Sequence, residues 1–152
     1  MRFLIQRVSR ASVTVGGQVT GAIGRGLVVL VGIGQGDTVT LADSMVEKLV
    51  NLRIFADPEG RMNLSALQVE AGLLLVSQFT LYGDCRKGRR PGFEKAGAPE
   101  AARQLYDYVV TAAGATGLAI ATGVFREHMD VELVNDGPVT LWLDSADLFG
   151  TK

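Results

Sequence analysis

The chain has 152 residues, 15 Lys and Arg against 16 Asp and Glu, and a formal net charge of −1. This length fits one domain, residues 1–152, burying about two thirds of its unfolded surface, and the balanced charge argues against broad non-specific attraction to polynucleotides. One cysteine, Cys85, excludes an internal disulfide framework; with no apolar run near the ~20 residues of a bilayer span, and Met1-Arg2 opening into a strand rather than a secretion signal, the expectation is a cytoplasmic protein without membrane association.

Phe3, Ile5 and Val8 begin an amino-terminal strand, and Val13-Thr14-Val15 and Val19-Thr20 flank Gly16-Gly17, a two-residue hairpin signal. Gly26-Leu27-Val28-Val29-Leu30-Val31 reads as an all-apolar strand. Thr40 has the position of a helix cap, with Asp43 three residues on and Leu41, Met45, Val46, Leu49 and Leu52 at helical spacing. Asp57-Pro58-Glu59-Gly60 is a turn, and Leu73-Leu74-Leu75-Val76 is a strand buried on both faces. Pro99-Glu100 opens a second helix, with Ala102, Leu105, Tyr106, Val109 and Val110 inward and a stop near Gly114. Residues 118–122, 129–134 and 139–143 complete the set as strands. Two main helices among about seven strands, with hairpins in place of βαβ crossovers, predict an α+β fold with mostly antiparallel sheet in a barrel-like or layered arrangement.

Three stretches carry the candidate chemistry. Ser77-Gln78-Phe79-Thr80-Leu81 leaves the apolar run with hydroxyl, amide and backbone groups at the rim of a core, where a small ligand can be oriented. Thr80 lacks an adjacent base, so main-chain amides are the simpler holders of an oxyanion. Arg86-Lys87-Gly88-Arg89-Arg90-Pro91 puts four of the fifteen cations within five positions, a local positive potential suited to phosphate or to water. Asn135-Asp136-Gly137-Pro138-Val139-Thr140 reads as a hairpin turn whose Gly-Pro tip offers only carbonyl oxygens as strong polar groups.

Other features favour structural readings. Gly32-Ile33-Gly34-Gln35-Gly36 resembles a dinucleotide loop, but Asp37 stands where the third glycine belongs, so a structural loop is the reading and nucleotide binding the weaker rival. His128 and Cys85 are each the sole residue of their type, so no metal site or conventional nucleophile–base pair has recognisable spacing, and no metal or cofactor is expected.

The 77–81 and 135–140 motifs together resemble the paired signature of the D-aminoacyl-tRNA deacylases, and the likeness runs over essentially the whole chain. The amino-terminal strand and Cys85-Arg86-Lys87-Gly88-Arg89-Arg90-Pro91 fit it too. One stretch departs: where that family commonly has Gly-Ala-x-Met after a Gly-x-Phe element, Gly123-Val124-Phe125 is followed here by Arg126-Glu127-His128-Met129. The resemblance implies a cofactor-independent homodimer that hydrolyses D-aminoacyl-tRNA, and glycyl-tRNA(Ala). It implies catalysis by the amides of Phe79 and Thr80, with help from the terminal 2′-hydroxyl of tRNA. Substrate would be bound by Ser77, Gln78, Phe125, Met129 and a cross-subunit Gly137-cis-Pro138 tip, and the tRNA by Arg86, Lys87, Arg89 and Arg90, with no DNA partner. Its rivals are a sister deacylase that edits a small L-amino acid and a non-catalytic nucleic-acid-binding accessory protein.

Overall fold

The computed structural model describes residues 1–150. β1 (Arg2–Val15) and β2 (Gln18–Ile23) form the hairpin at Gly16-Gly17, where φ angles of 55° and 80° suit residues without a Cβ. The two amino-terminal strands read from the sequence are thus one. β3 (Gly26–Gly32), α1 (Val39–Asn51), β4 (Phe55–Ala56), β5 (Met62–Leu64), the single turn α2 (Ala66–Val69) and β6 (Gly72–Ser77) follow. The 3₁₀ turn η1 (Phe79–Tyr82), α3 (Pro99–Gly114), β7 (Ile120–Thr122), β8 (Asp130–Asp144) and α4 (Ser145–Phe149) complete the order.

The fold is the mixed α+β arrangement expected, built on a six-stranded, nearly closed sheet of order β2-β1-β3-β6-β7, with β8 also on β1. β1 pairs antiparallel with β2, β3 and β8, whereas β3–β6 and β6–β7 are parallel. Crossovers are therefore present after all: the chain between β3 and β6 includes α1, and that between β6 and β7 includes α3. A Cβ on Gly21 of β2 would lie 3.0 Å from the Thr122 nitrogen of β7, so the two edge strands meet where only glycine fits.

β6 is buried on both faces, as its four consecutive branched side chains require, with Leu73, Leu74 and Leu75 wholly excluded from solvent. α1 and α3 cover one face of the sheet with Met45, Leu49, Leu105 and Val109, each buried aliphatic contributing about 1.5–3 kcal/mol. α1 is capped two residues earlier than Thr40: Thr38 accepts from the Leu41 N–H at 3.2 Å. The Tyr106 hydroxyl donates to the Leu75 carbonyl at 2.8 Å, fastening α3 to β6.

Residues 130–144 form one strand, not two joined by a hairpin. Both halves pair with β1: Gln6 faces Thr140 and Val8 faces Asn135, so residues 136–139 fall between register positions and bulge outward. Asn135 closes the base of the bulge, accepting from the Val139 N–H at 3.0 Å and donating to Thr140 Oγ1 at 2.9 Å.

Candidate active site

β6 ends at Ser77, and the backbone then turns. Residues 77–81 are therefore not a continuous strand; Gln78 anchors the change of direction by donating its N–H to the Val31 carbonyl at 2.8 Å, and Phe79 begins η1. The first N–H groups of a helical turn have no partner within it. Among the described residues neither the Phe79 nor the Thr80 N–H has an acceptor. Two main-chain donors thus stand unused at the end of a strand buried on both faces.

A cleft of about 550 Å³ opens beside them. Ser77, Gln78 and Phe79 line one side and Phe125, Arg126, Glu127, His128 and Met129 the other, with Ala102 at the start of α3 below. Thr80 is not among the lining residues. The Gln78 side-chain amide donates to Thr80 Oγ1, and a donor cannot take that hydroxyl's proton.

The far wall is held by packing. Phe125 stacks near Tyr106 with ring centroids 5.9 Å apart, and a Cβ on Gly123 would overlap the Met129 sulfur, so glycine lets that side chain fold back. Arg126 holds φ at 67°, a left-handed conformation unusual for a side-chain-bearing residue. His128 is an exposed histidine: its Nε2 lies 3.5 Å from Asp130 Oδ1, and both side chains are almost fully in water. Such a pair is screened and weak.

The cationic loop continues from η1, its neck closed by paired backbone bonds between Asp84 and Gly92 of 2.7 and 2.9 Å. Arg86 is committed to Asp84 through two bonds of 2.8 and 2.7 Å, and these hold the Asp84 carboxyl well below the usual carboxylate range. Lys87, Arg89 and Arg90 are exposed. Phe93 returns to meet the exposed Phe79 ring edge-on at 5.0 Å, so loop and cleft share an aromatic border.

Gly137 and Pro138 do not line this cleft. The bond between them is cis, and the tip they form is exposed on the bulge of β8. Arg7 supports it from beneath, donating to the Asp136 carbonyl at 3.1 Å and to the Ile54 carbonyl at 2.6 Å. Gly137 has φ of 133°, and a Cβ there would lie 2.9 Å from Val139 Cγ2 and 3.0 Å from Arg7 Nη2. Only glycine fits.

The profile of the D-Tyr-tRNA(Tyr) deacylase family matches residues 4–144. The chain belongs to that family. The D-aminoacyl-tRNA deacylases of Desulforamulus reducens and Koribacter versatilis are 57% and 56% identical to it, over 95% and 98% of this chain and 97% and 100% of theirs. Among solved structures, the c-Myc DNA Unwinding Element Binding Protein superposes with a TM-score of 0.89 at 42% identity, covering 95% of this chain and 98% of that one. A probable eukaryotic D-amino acid tRNA deacylase shares the fold, with a TM-score of 0.79 at 20% identity over 93% and 97% of the two chains. As a family member the chain is an enzyme, a hydrolase of the D-aminoacyl-tRNA deacylase class. No helix among the described residues is long and apolar enough to cross a membrane.

Sequence reasoning overlooked Ala96, Gly97 and Ala102 in the cleft, because small apolar residues carry no chemical signal. It also overlooked Arg7, a cation in the middle of a strand whose inward use only the bulge reveals.

Proposed function

We propose that the chain, as one domain acting in the cytoplasm, hydrolyses the ester joining a D-amino acid, or glycine on tRNA(Ala), to the terminal ribose of tRNA. Free amino acid and tRNA are released without a cofactor. The observation that carries the reading is the pair of unpartnered N–H groups, Phe79 and Thr80, beside a cleft lined on the same side by Ser77 and Gln78. Donors fixed before reaction stabilise the oxyanion that forms when water attacks the ester carbonyl, and losing one such donor typically costs about 10²–10³ in rate. The neighbouring 2′-hydroxyl of the terminal ribose helps the attacking water, in place of a side-chain base.

Stereochemistry is set by the Gly137-Pro138 tip of a second copy. The tip is exposed and lies outside its own chain's cleft, which favours delivery to a partner's. In such a homodimer its carbonyls receive the substrate's amino group, and an L side chain collides with it, so selection works by exclusion. Phe125 and Met129 wall the pocket, while Lys87, Arg89, Arg90 and, in part, Arg86 contact the tRNA backbone. The test is deacylation of one tRNA charged in parallel with D- and L-tyrosine, with chelator present. Rapid loss of the D ester alone is expected; cleavage of a small L ester would favour the sister deacylase, and binding without cleavage the accessory protein.

A further inference from the structure

The 32–36 loop has glycines that invite a nucleotide, yet two of its central donors are already engaged. The Gly34 N–H donates to Asp37 Oδ2 at 2.7 Å and the Gln35 N–H to the Lys95 carbonyl at 3.0 Å. What the glycines admit instead is η1. A Cβ on Gly32 would lie 3.1 Å from Leu81 Cβ and 3.2 Å from the Gln78 carbonyl oxygen. On Gly34 it would lie 2.6 Å from the Tyr82 hydroxyl oxygen and 2.7 Å from Cζ, closer than real Cβ contacts come. The 3₁₀ turn is thus seated on bare backbone.

From β1, Arg2 holds the same turn. Its Nη1 donates to the Leu81 carbonyl at 2.9 Å, its Nε donates to Asp144 Oδ2 at 2.8 Å, and its guanidinium lies 4.3 Å from the centre of the Tyr82 ring. A four-residue 3₁₀ turn has too few internal bonds to fix its own orientation. Neither Arg2, Gly32 nor Gly34 lines the cleft.

We infer that Gly32, Gly34 and Arg2 are positioning residues that seat η1 and so hold the Phe79 and Thr80 N–H groups in place beside the cleft. This rests on the oxyanion role proposed for those amides. The loop that looks like a nucleotide cradle then serves catalysis through geometry, since a donor displaced by about 1 Å can cost on the order of 10² in rate while leaving binding intact.

The test measures single-turnover hydrolysis of D-tyrosyl-tRNA, tRNA affinity and Tm for the full chain and for Arg2→Met, Arg2→Lys and Gly34→Ala. Arg2→Met and Gly34→Ala should each lower the rate at least about tenfold with Kd within about twofold, and Arg2→Lys should recover part of the loss. Gly34→Ala disturbs the ring from the loop side, so it decides the matter alone if Arg2→Met does not fold. An unchanged rate in a folded variant overturns the seat. So does a loss of rate that tracks a loss of affinity or of folded protein. If the unaltered enzyme leaves the D ester intact, the amide role itself falls, and the seat falls with it.

Discussion

Thr80 serves the proposed reaction through its N–H, because the Gln78 amide that approaches its hydroxyl is a donor and no base stands beside it. Thr80→Val should keep single-turnover hydrolysis within about threefold, whereas Thr80→Pro, which deletes the N–H in the first turn of η1, should cost at least about 10²–10³. A large loss in Thr80→Val with unchanged binding would return the hydroxyl to the mechanism. Arg126 offers a separate test, of stability. Its left-handed φ of 67° costs an L residue roughly 1–2 kcal/mol, which glycine avoids at the expense of about 0.5–1 kcal/mol of chain entropy. Arg126→Gly should therefore leave Tm unchanged or raise it by about 1–4 °C; a clear drop would mean that the arginine side chain makes a contact worth more than the strain. Ser77 and Gln78 are legible in the sequence as pocket residues because they end an apolar run, whereas Phe125 and Met129 are legible only through the family resemblance. Arg2 and Gly34 are not, since one looks like a strand-end charge and the other like part of a nucleotide loop. Their meaning depends on a turn whose Leu81 is 79 residues from Arg2 and whose Tyr82 is 48 from Gly34.

At the scale of elements, the long β6 run and the Gly16-Gly17 hairpin are legible because burial on both faces and positive φ each demand a particular residue type. β8 misleads for a physical reason. Asn, Asp, Gly and Pro make hairpin turns, but here they make a bulge, and only the shared partner β1 distinguishes the two. η1 misleads as well, because Gln and Thr after a strand give no sign that the backbone leaves the sheet. The tie between η1, β1 and β8 has a titration signature. Burial pushes the Asp144 carboxyl up, but the Ala146 N–H, Arg2 and the nearby α-ammonium outweigh it and hold it below its ordinary value of 3.8. A carboxyl lowered by folding stabilises fully above its unfolded pKa, and that stabilisation is lost as pH falls towards the folded value. Melting curves of the unaltered chain and Asp144→Asn should therefore differ at neutral pH and converge below about pH 4. A gap independent of pH would show that the charge of Asp144 contributes nothing.

In the proposed reaction the whole molecule supplies two halves of one site: a cleft beside the Phe79 and Thr80 N–H groups, and an exposed Gly137-Pro138 tip that lies outside that cleft. The neighbourhood of the tip also exposes Trp142 and Val134 on β8, at 46% and 40%, apolar surface that an interface between copies would cover. Gly137→Ala should damage the tip alone, since a Cβ there meets Val139 and Arg7. Mixing is then the most direct test of the shared site. Thr80→Pro has a sound tip and a failed cleft, while Gly137→Ala has a sound cleft and a failed tip. Each variant alone should be nearly inactive on D-tyrosyl-tRNA. Mixed in equal amounts and allowed to exchange subunits, they should recover up to about a quarter of the normal rate, because half the dimers are mixed and each holds one intact site. No recovery after proven exchange would contradict a site completed across two copies.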